Sequence, residues 1–185
     1  LNSIAVLMAA EVSRLDVTKA IATLAKFEPL KGRGQRKQFG QITVIDESYN
    51  ASPLSMVAAL RVLGQSHPEN GGRRIAVLGE MLELGATAAE AHALLSIELK
   101  AQKIDQVFCC GAPMKHLWNT LPASMQGQWA EDAASLAPTV VAALKAHDVV
   151  LVKGSRGEQV AIKGIISPTM AQVIYAIEQE NAHAA

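Results

Sequence analysis

The feature that most restricts this chain is an alternation. Short runs rich in β-branched residues, at 41–46 (QITVID), 74–78 (RIAVL), 107–110 (VFCC) and 149–153 (VVLVK), alternate with stretches of helical spacing at 53–63, 87–102, 113–119, 132–146 and 168–180. Runs this short and this apolar are strands covered on both faces, and a helix between successive strands makes them lie parallel. The pattern predicts an α/β fold, a Rossmann-like, doubly wound, mainly parallel sheet. Ahead of it, residues 2–12 and 16–27 carry apolar positions at helical spacing, with Asp16 placed to cap the second stretch and Ile21, Leu24 and Ala25 on one face. These predict a short helical hairpin. Residues 28–37 (EPLKGRGQRK) then collect a proline, two glycines and four basic residues. Such a composition ends a helix and marks a domain boundary, placed near Lys31.

Half of the 185 residues are apolar, enough for a large core, and 17 basic side chains balance 17 acidic ones. A neutral chain lacks the field that draws proteins non-specifically to nucleic acid or anionic lipid, so neither partner is expected. The apolar stretches fall far short of the ~20 residues that span a bilayer, and no membrane span is expected. The first residues have neither the basic opening nor the cleavage site of a secretory signal, which predicts a cytoplasmic protein. Cys109 and Cys110 are adjacent at the end of an apolar run, a spacing unsuited to a disulfide framework or a metal site, and are expected to be buried thiols. The five histidines (His67, His92, His116, His147 and His183) are scattered without ligand spacing and are expected to be solvated. No metal site is predicted.

Doubly wound sheets bind ligands at the carboxyl ends of their strands, which singles out three loops. In the first, 46–53 (DESYNASP), the carboxylates of Asp46 and Glu47 precede Ser48, Tyr49, Asn50 and Ser52, and Pro53 suits the first turn of a helix. Such a loop can present carboxylates to a cation and a helix amino terminus to an anion, or it can be an ordinary cap. In the last, 153–157 (KGSRG), Lys153 and Arg156 flank Gly154 and Ser155 at the end of the most apolar strand, an arrangement suited to phosphate or carboxylate. The middle loop, 79–85 (GEMLELG), spaces Glu80 and Glu83 as one helical turn with an apolar side packed inward, which favours a structural role. A P-loop requires lysine after glycine, and no Gly-Lys pair occurs; Lys-Gly occurs instead, at Lys31, Lys153 and Lys163. No G-x-G-x-x-G follows a strand, which disfavours nicotinamide cofactors of the usual kind.

These loops resemble those of the Mur ligases. Residues 29–34 (PLKGRG) look like that family's junction between central and C-terminal domains. Residues 44–56 (VIDESYNASPLSM) look like its DDSYNANPxSM signature, and 77–85 (VLGEMLELG) and 150–157 (VLVKGSRG) look like its next two conserved segments. The chain departs from the signature with Glu47 for Asp, which keeps the charge, and Ser52 for Asn, which loses an amide. Residues 1–3 (LNS) look like the second asparagine of an HNxxNxLAA segment late in the family's central ATPase domain. The resemblance therefore implies that residues 1–30 are terminal helices of that domain and residues 31–185 the C-terminal domain, with a UDP-binding domain and a P-loop upstream.

The branch resembled most joins D-Ala-D-Ala to UDP-N-acetylmuramoyl-tripeptide through an acyl phosphate made from ATP with Mg. On that resemblance Arg33 is expected to reach the ATP phosphates, Asp46 to order the nucleotide side of the cleft, and Asn2 to lie near the adenine. Tyr49, Asn50, Lys153, Ser155 and Arg156 are expected to line the dipeptide side, while the chain alone, lacking the P-loop, is expected to be inactive. Two alternatives stand beside this reading. One is a sister branch adding diaminopimelate or lysine, whose loops resemble DYAHTP and KGHE rather than DESYNASP and KGSRG. The other is a non-catalytic Rossmann-like module that binds a small anion at residues 153–157.

Overall fold

The computed structural model describes residues 2–155 and 170–183. The chain divides into two compact units, Leu1–Leu30 and Lys31–Ala185. In the first, helix α1 (Asn2–Val12) ends with Arg14 at a left-handed φ of 56°. The Leu15 N–H there donates to the Ala10 carbonyl and the Arg14 N–H to that of Glu11, which satisfies carbonyls the helix leaves open. Asp16 caps α2 (Val17–Leu24) as its position predicts, its Oδ1 accepting from the N–H groups of Thr18 (2.9 Å) and Lys19 (3.2 Å). The unit buries little. Ile4, Met8, Val12, Leu15, Ile21 and Phe27 are all exposed.

The second unit is the sheet that the alternation predicts. Its strands are β1 (Gln35–Phe39), β2 (Ile42–Glu47), β3 (Arg74–Gly79), β4 (Gln106–Cys110), β5 (Gln126–Ala130) and β6 (Val149–Lys153). They lie in the order β1-β2-β6-β3-β4-β5, with β1 antiparallel to β2 and every other pair parallel. Helices α3 (Pro53–Gly64), α4 (Ala88–Ala101) and α5 (Met114–Trp118) pack one face, where Met56, Leu60, Leu95 and Leu117 meet Ile45, Leu78 and Leu151. Helices α6 (Ala133–Ala143) and α7 (Ala171–His183) cover the other, where Leu136, Val140 and Ile177 meet Val44, Val77 and Val152. Neighbouring strand residues thus serve opposite cores, which is why β3, β4 and β6 carry continuous apolar runs and β2 pairs Val44 with Ile45.

Two strands are additions to the sequence reading, and both lie at the edges. Strand β1 (QRKQF) falls partly within the stretch taken as a linker, because an edge strand with one wet face needs no apolar run. Strand β5 (QGQWA) is only half-buried, and its pairing with β4 slips between Val107 and Phe108. Gly127 sits at that slip. A Cβ there would come within 2.7 Å of the Phe108 ring, so a bare Cα lets the edge strand close over the aromatic.

One histidine departs from expectation. His92 is fully buried on α4, where its Nε2 accepts from the Met81 N–H (2.9 Å) and its Nδ1 lies 2.6 Å from the Ala88 carbonyl. A carbonyl only accepts, so the proton is on Nδ1 and the ring is a structural pin for the loop after β3. Met81 beside it is buried, as the inward-packed reading of residues 79–85 requires, but the stretch is not the expected helical turn: Glu83 adopts a left-handed φ of 63° and Leu82 is exposed. Both cysteines are buried, and burial pushes each thiol up to about 12, with Cys110 adding to the effect on Cys109, and Glu80 and Asp132 to that on Cys110. Neither is a nucleophile at neutral pH. Among the described residues no helix is long and apolar enough to cross a membrane, and no three His, Cys, Asp or Glu side chains converge as metal ligands would.

Candidate functional site

The chain runs outward from β3 to β4 to β5, then returns to lay β6 between β2 and β3. Helices change face at that return, so the loops after β2, β3 and β6 part around the carboxyl ends of these strands, where an open α/β sheet takes its ligands. Glu47 and Lys153 finish β2 and β6 as direct neighbours in the parallel register. A cleft of about 230 Å³ opens there, lined by Arg33, Glu47, Tyr49, Asn50, Ser52 and Lys153, among others.

The stretch before β1 folds back over the loop after β2. The Tyr49 N–H donates to the Gly32 carbonyl (3.1 Å), and Gly32 adopts φ +77° with its Cα so close to Tyr49 that a Cβ would sit 3.0 Å from it. Only glycine combines that backbone with that approach at low cost. The approach carries the Arg33 guanidinium over the Tyr49 ring, 4.0 Å from its centroid. Arg33 is exposed and makes no ion pair among the described residues, so its N–H groups are open to an anion while the ring holds the plane.

Asp46 behaves differently. It is 1 % exposed, and its Oδ2 accepts from the Lys37 ammonium (2.8 Å) while its Oδ1 accepts from the Ser48 hydroxyl (2.6 Å) and N–H (3.2 Å). Burial pulls its pKa upward, but the hydrogen bonds from Lys37 and Ser48 outweigh it and hold the carboxyl below the usual range. The charge is therefore kept, and it is directed at β1 and at the first residue of the loop. Lys37 was no candidate in the sequence because its stretch looked like linker; in the antiparallel register it lies diagonally across from Asp46, two residues beyond Gln35.

Lys153 and Ser155 also turn inward. The Lys153 side chain is 3 % exposed, and its ammonium donates to the Asn50 carbonyl (2.9 Å) and to Glu47 Oε2 (3.4 Å). Burial lowers its pKa, and the Glu47 charge partly restores it. The Ser155 hydroxyl donates to the Ala51 carbonyl (3.2 Å) and accepts from the Leu82 N–H (3.1 Å), while the Ser155 N–H donates to the Glu80 carbonyl (3.0 Å). The sequence set both residues against a carboxylate ligand; the structure sets them against carbonyls of the protein.

Asn50 is exposed, its Oδ1 accepting from the Ala51 N–H (2.8 Å) and its side-chain N–H groups left without a partner among the described residues. Ser52 caps α3 in a reciprocal box with Ser55, and Pro53 follows at the first turn, so the positive end of a twelve-residue helix faces the cleft. Arg33, Tyr49, Asn50 and Lys153 are thus brought to one cleft, with Ser155 and Asp46 just behind it. Asn2 opens α1 in the first unit, and Arg156 lies outside the described residues.

Comparison with known proteins bears on the same segments. The family described as Mur ligase, glutamate ligase domain, matches residues 32–156. The UDP-N-acetylmuramoyl-tripeptide–D-alanyl-D-alanine ligase of Rickettsia prowazekii is 30 % identical over 156 residues, covering 84 % of this chain and 34 % of its own length. The ligase of the same name from Escherichia coli K12 is 33 % identical over 168 residues, covering 89 % of this chain and 33 % of its own. The crystal structure of MurF ligase from Thermotoga maritima in complex with ADP superposes with a TM-score of 0.73 over 97 % of this chain and 37 % of that one, at 23 % identity, a likeness of fold. The chain spans about a third of the length of the curated relatives it matches. The matched family region begins at Gly32 and runs through the Arg33–Tyr49 stack, both strand-end loops and Ser155, so the cleft is built from the residues by which this chain belongs to the Mur ligase family.

Proposed function

We propose that this chain is the C-terminal portion of a cytoplasmic ligase that joins D-Ala-D-Ala to UDP-N-acetylmuramoyl-tripeptide, using ATP to activate the tripeptide carboxylate as an acyl phosphate. The observation that carries the reading is the continuous similarity, over 84–89 % of this chain, to ligases of that specificity. The exposed apolar side chains of the first unit support it, since a patch of this kind is what a helical pair shows when the rest of its domain is missing.

The cleft fits an anion and does not fit a divalent cation. Arg33 offers a flat, unpaired guanidinium and α3 its positive end, both suited to phosphoryl oxygens. Of the nearby carboxylates, Asp46 is buried against Lys37 and Ser48, and Glu47 is held by Lys153. Mg would therefore be held by residues outside this cleft. In this reading Arg33 neutralises charge on the ATP phosphates as the domain closes. The open amide of Asn50 and the Tyr49 ring face the incoming dipeptide, and Asp46 keeps the loop between them in place.

The test is phosphate release by the full-length protein containing this chain, given ATP, Mg, the tripeptide precursor and one amine at a time. Release that depends on D-Ala-D-Ala is expected. Release with diaminopimelate or lysine instead, on the matching dipeptide precursor, would move the chain to the sister branch. No release with any amine, together with phosphate binding by the chain alone, would leave an anion-binding module.

A further inference from the structure

Two consecutive carbonyls of the loop after β2 are each held by a side chain from the end of β6. Lys153 donates to the oxygen of Asn50 and Ser155 to that of Ala51, immediately before the Ser52 cap of α3. The Ser155 hydroxyl has one proton, already given to Ala51, and it also accepts the Leu82 N–H, so a single oxygen joins the loops after β2 and β3. We propose that Lys153 and Ser155 are positioning residues, a two-point clamp that sets the cleft wall formed by Tyr49, Asn50 and the amino end of α3, and are not ligands of the substrate.

The geometry supports the assignment at both points. The Lys153 ammonium is buried and lies nearer the neutral Asn50 carbonyl, at 2.9 Å, than the Glu47 carboxylate, at 3.4 Å. The carbonyl contact is therefore the tighter of the two. Drawing both carbonyl oxygens toward β6 leaves the exposed side chains of Tyr49 and Asn50 on the open side of the loop. Arg33, stacked on Tyr49, is placed by the same loop, so the clamp sets both halves of the cleft through contacts that never reach a ligand.

The kinetic part of this inference rests on the proposed ligase reading; the structural part does not. Amide hydrogen exchange on the 185-residue chain tests the structural part. Ser155→Ala should speed exchange about fivefold in both residues 49–53 and residues 80–84, the factor expected from one lost hydrogen bond, and Ser155→Thr should restore it. The double variant Glu47→Gln/Lys153→Met removes the ion pair without stranding a charge, and should speed exchange in residues 49–53 alone. Faster exchange spread over the whole sheet, or no change in either loop, overturns the clamp. In full-length enzyme that is active with D-Ala-D-Ala, Ser155→Ala and the double variant should each raise KM for the dipeptide by about 10- to 100-fold, and Ser155→Thr should not. Loss of kcat with KM unchanged in the double variant would make Lys153 a catalytic residue and overturn the positioning role. A wild-type enzyme inert toward D-Ala-D-Ala would refute the ligase reading while the exchange result still decided the clamp.

Discussion

Strand β6 begins and ends with a buried ion pair, and the two are built to opposite designs. At its amino end Asp148 accepts from the Arg73 side chain at Nε (3.2 Å) and Nη2 (2.6 Å), and from the main-chain N–H groups of Arg73 and Lys145 (2.9 Å each). Arg73 also donates to the Ala143 carbonyl and to Gln106. Every charge there is answered inside the fold. At its carboxyl end Lys153 meets Glu47 at 3.4 Å, Glu47 is half-open to solvent, and Arg33 nearby has only an aromatic face beneath it. The first end is a rivet; the second keeps charge and donors in reserve. In a doubly wound sheet this asymmetry separates the end that holds the fold together from the end that meets a ligand.

The largest expected effect breaks the rivet. Arg73→Met would leave the Asp148 carboxylate buried with main-chain donors alone, and removing one partner of a buried pair costs ~3–5 kcal/mol. Urea unfolding of the 185-residue chain measures it, and a loss under ~1 kcal/mol would rank the pair with ordinary surface ion pairs. At the other end the expected result inverts. Arg33→Ala in the full-length enzyme should lower turnover about 10²-fold, the usual consequence of losing one donor to a developing anion. Stability should fall by no more than ~1 kcal/mol, because only an exposed stack on Tyr49 is lost. Equal damage to turnover and stability by both variants would erase the distinction between the ends.

Much of this was legible in the sequence, and the misses have a common cause. Strands β2, β3, β4 and β6 announced themselves because both of their faces are buried; β1 and β5 did not, because an edge strand can be as polar as QRKQF or QGQWA. The loops after β2 and β6 were found from strand ends alone. Which way Lys153 points was beyond reach, since it depends on the parallel register that sets it opposite Glu47 and on a loop that turns the Asn50 carbonyl toward it. Asp148 is a lone charge at the head of an apolar run, and its partner Arg73 lies 75 residues away. Composition and spacing report burial along the chain, but they are silent about partners across a sheet.

A third expectation sharpens the comparison through pH. The Asp46 carboxyl is held below the ordinary aspartate value of 3.8, so it contributes stability that is present above that pH and is lost as pH falls through the lower value of the folded state. Lys153 is shifted down from 10.5 by burial. Its penalty is therefore present at neutral pH and is relieved as alkaline pH removes the proton. Acid unfolding of Lys37→Met should begin at higher pH than that of the wild type, because the strongest of the bonds that depress Asp46 is gone; an unchanged acid midpoint would put the control elsewhere.

The smallest effect concerns one of the two residues by which the cleft departs from its family signature. Ser52 stands where asparagine is usual, and its hydroxyl accepts from the Ser55 N–H as the cap of α3. Serine and asparagine cap helices about equally well, so Ser52→Asn should leave stability within a few tenths of a kcal/mol, whereas Ser52→Ala should cost ~1 kcal/mol in thermal unfolding. If the position matters only as a cap, KM for the dipeptide in the full-length enzyme should follow the same order, with Ser52→Asn near wild type. A rise in KM with Ser52→Asn at unchanged stability would show that the side chain reaches into the cleft, where the longer amide would displace what the serine admits.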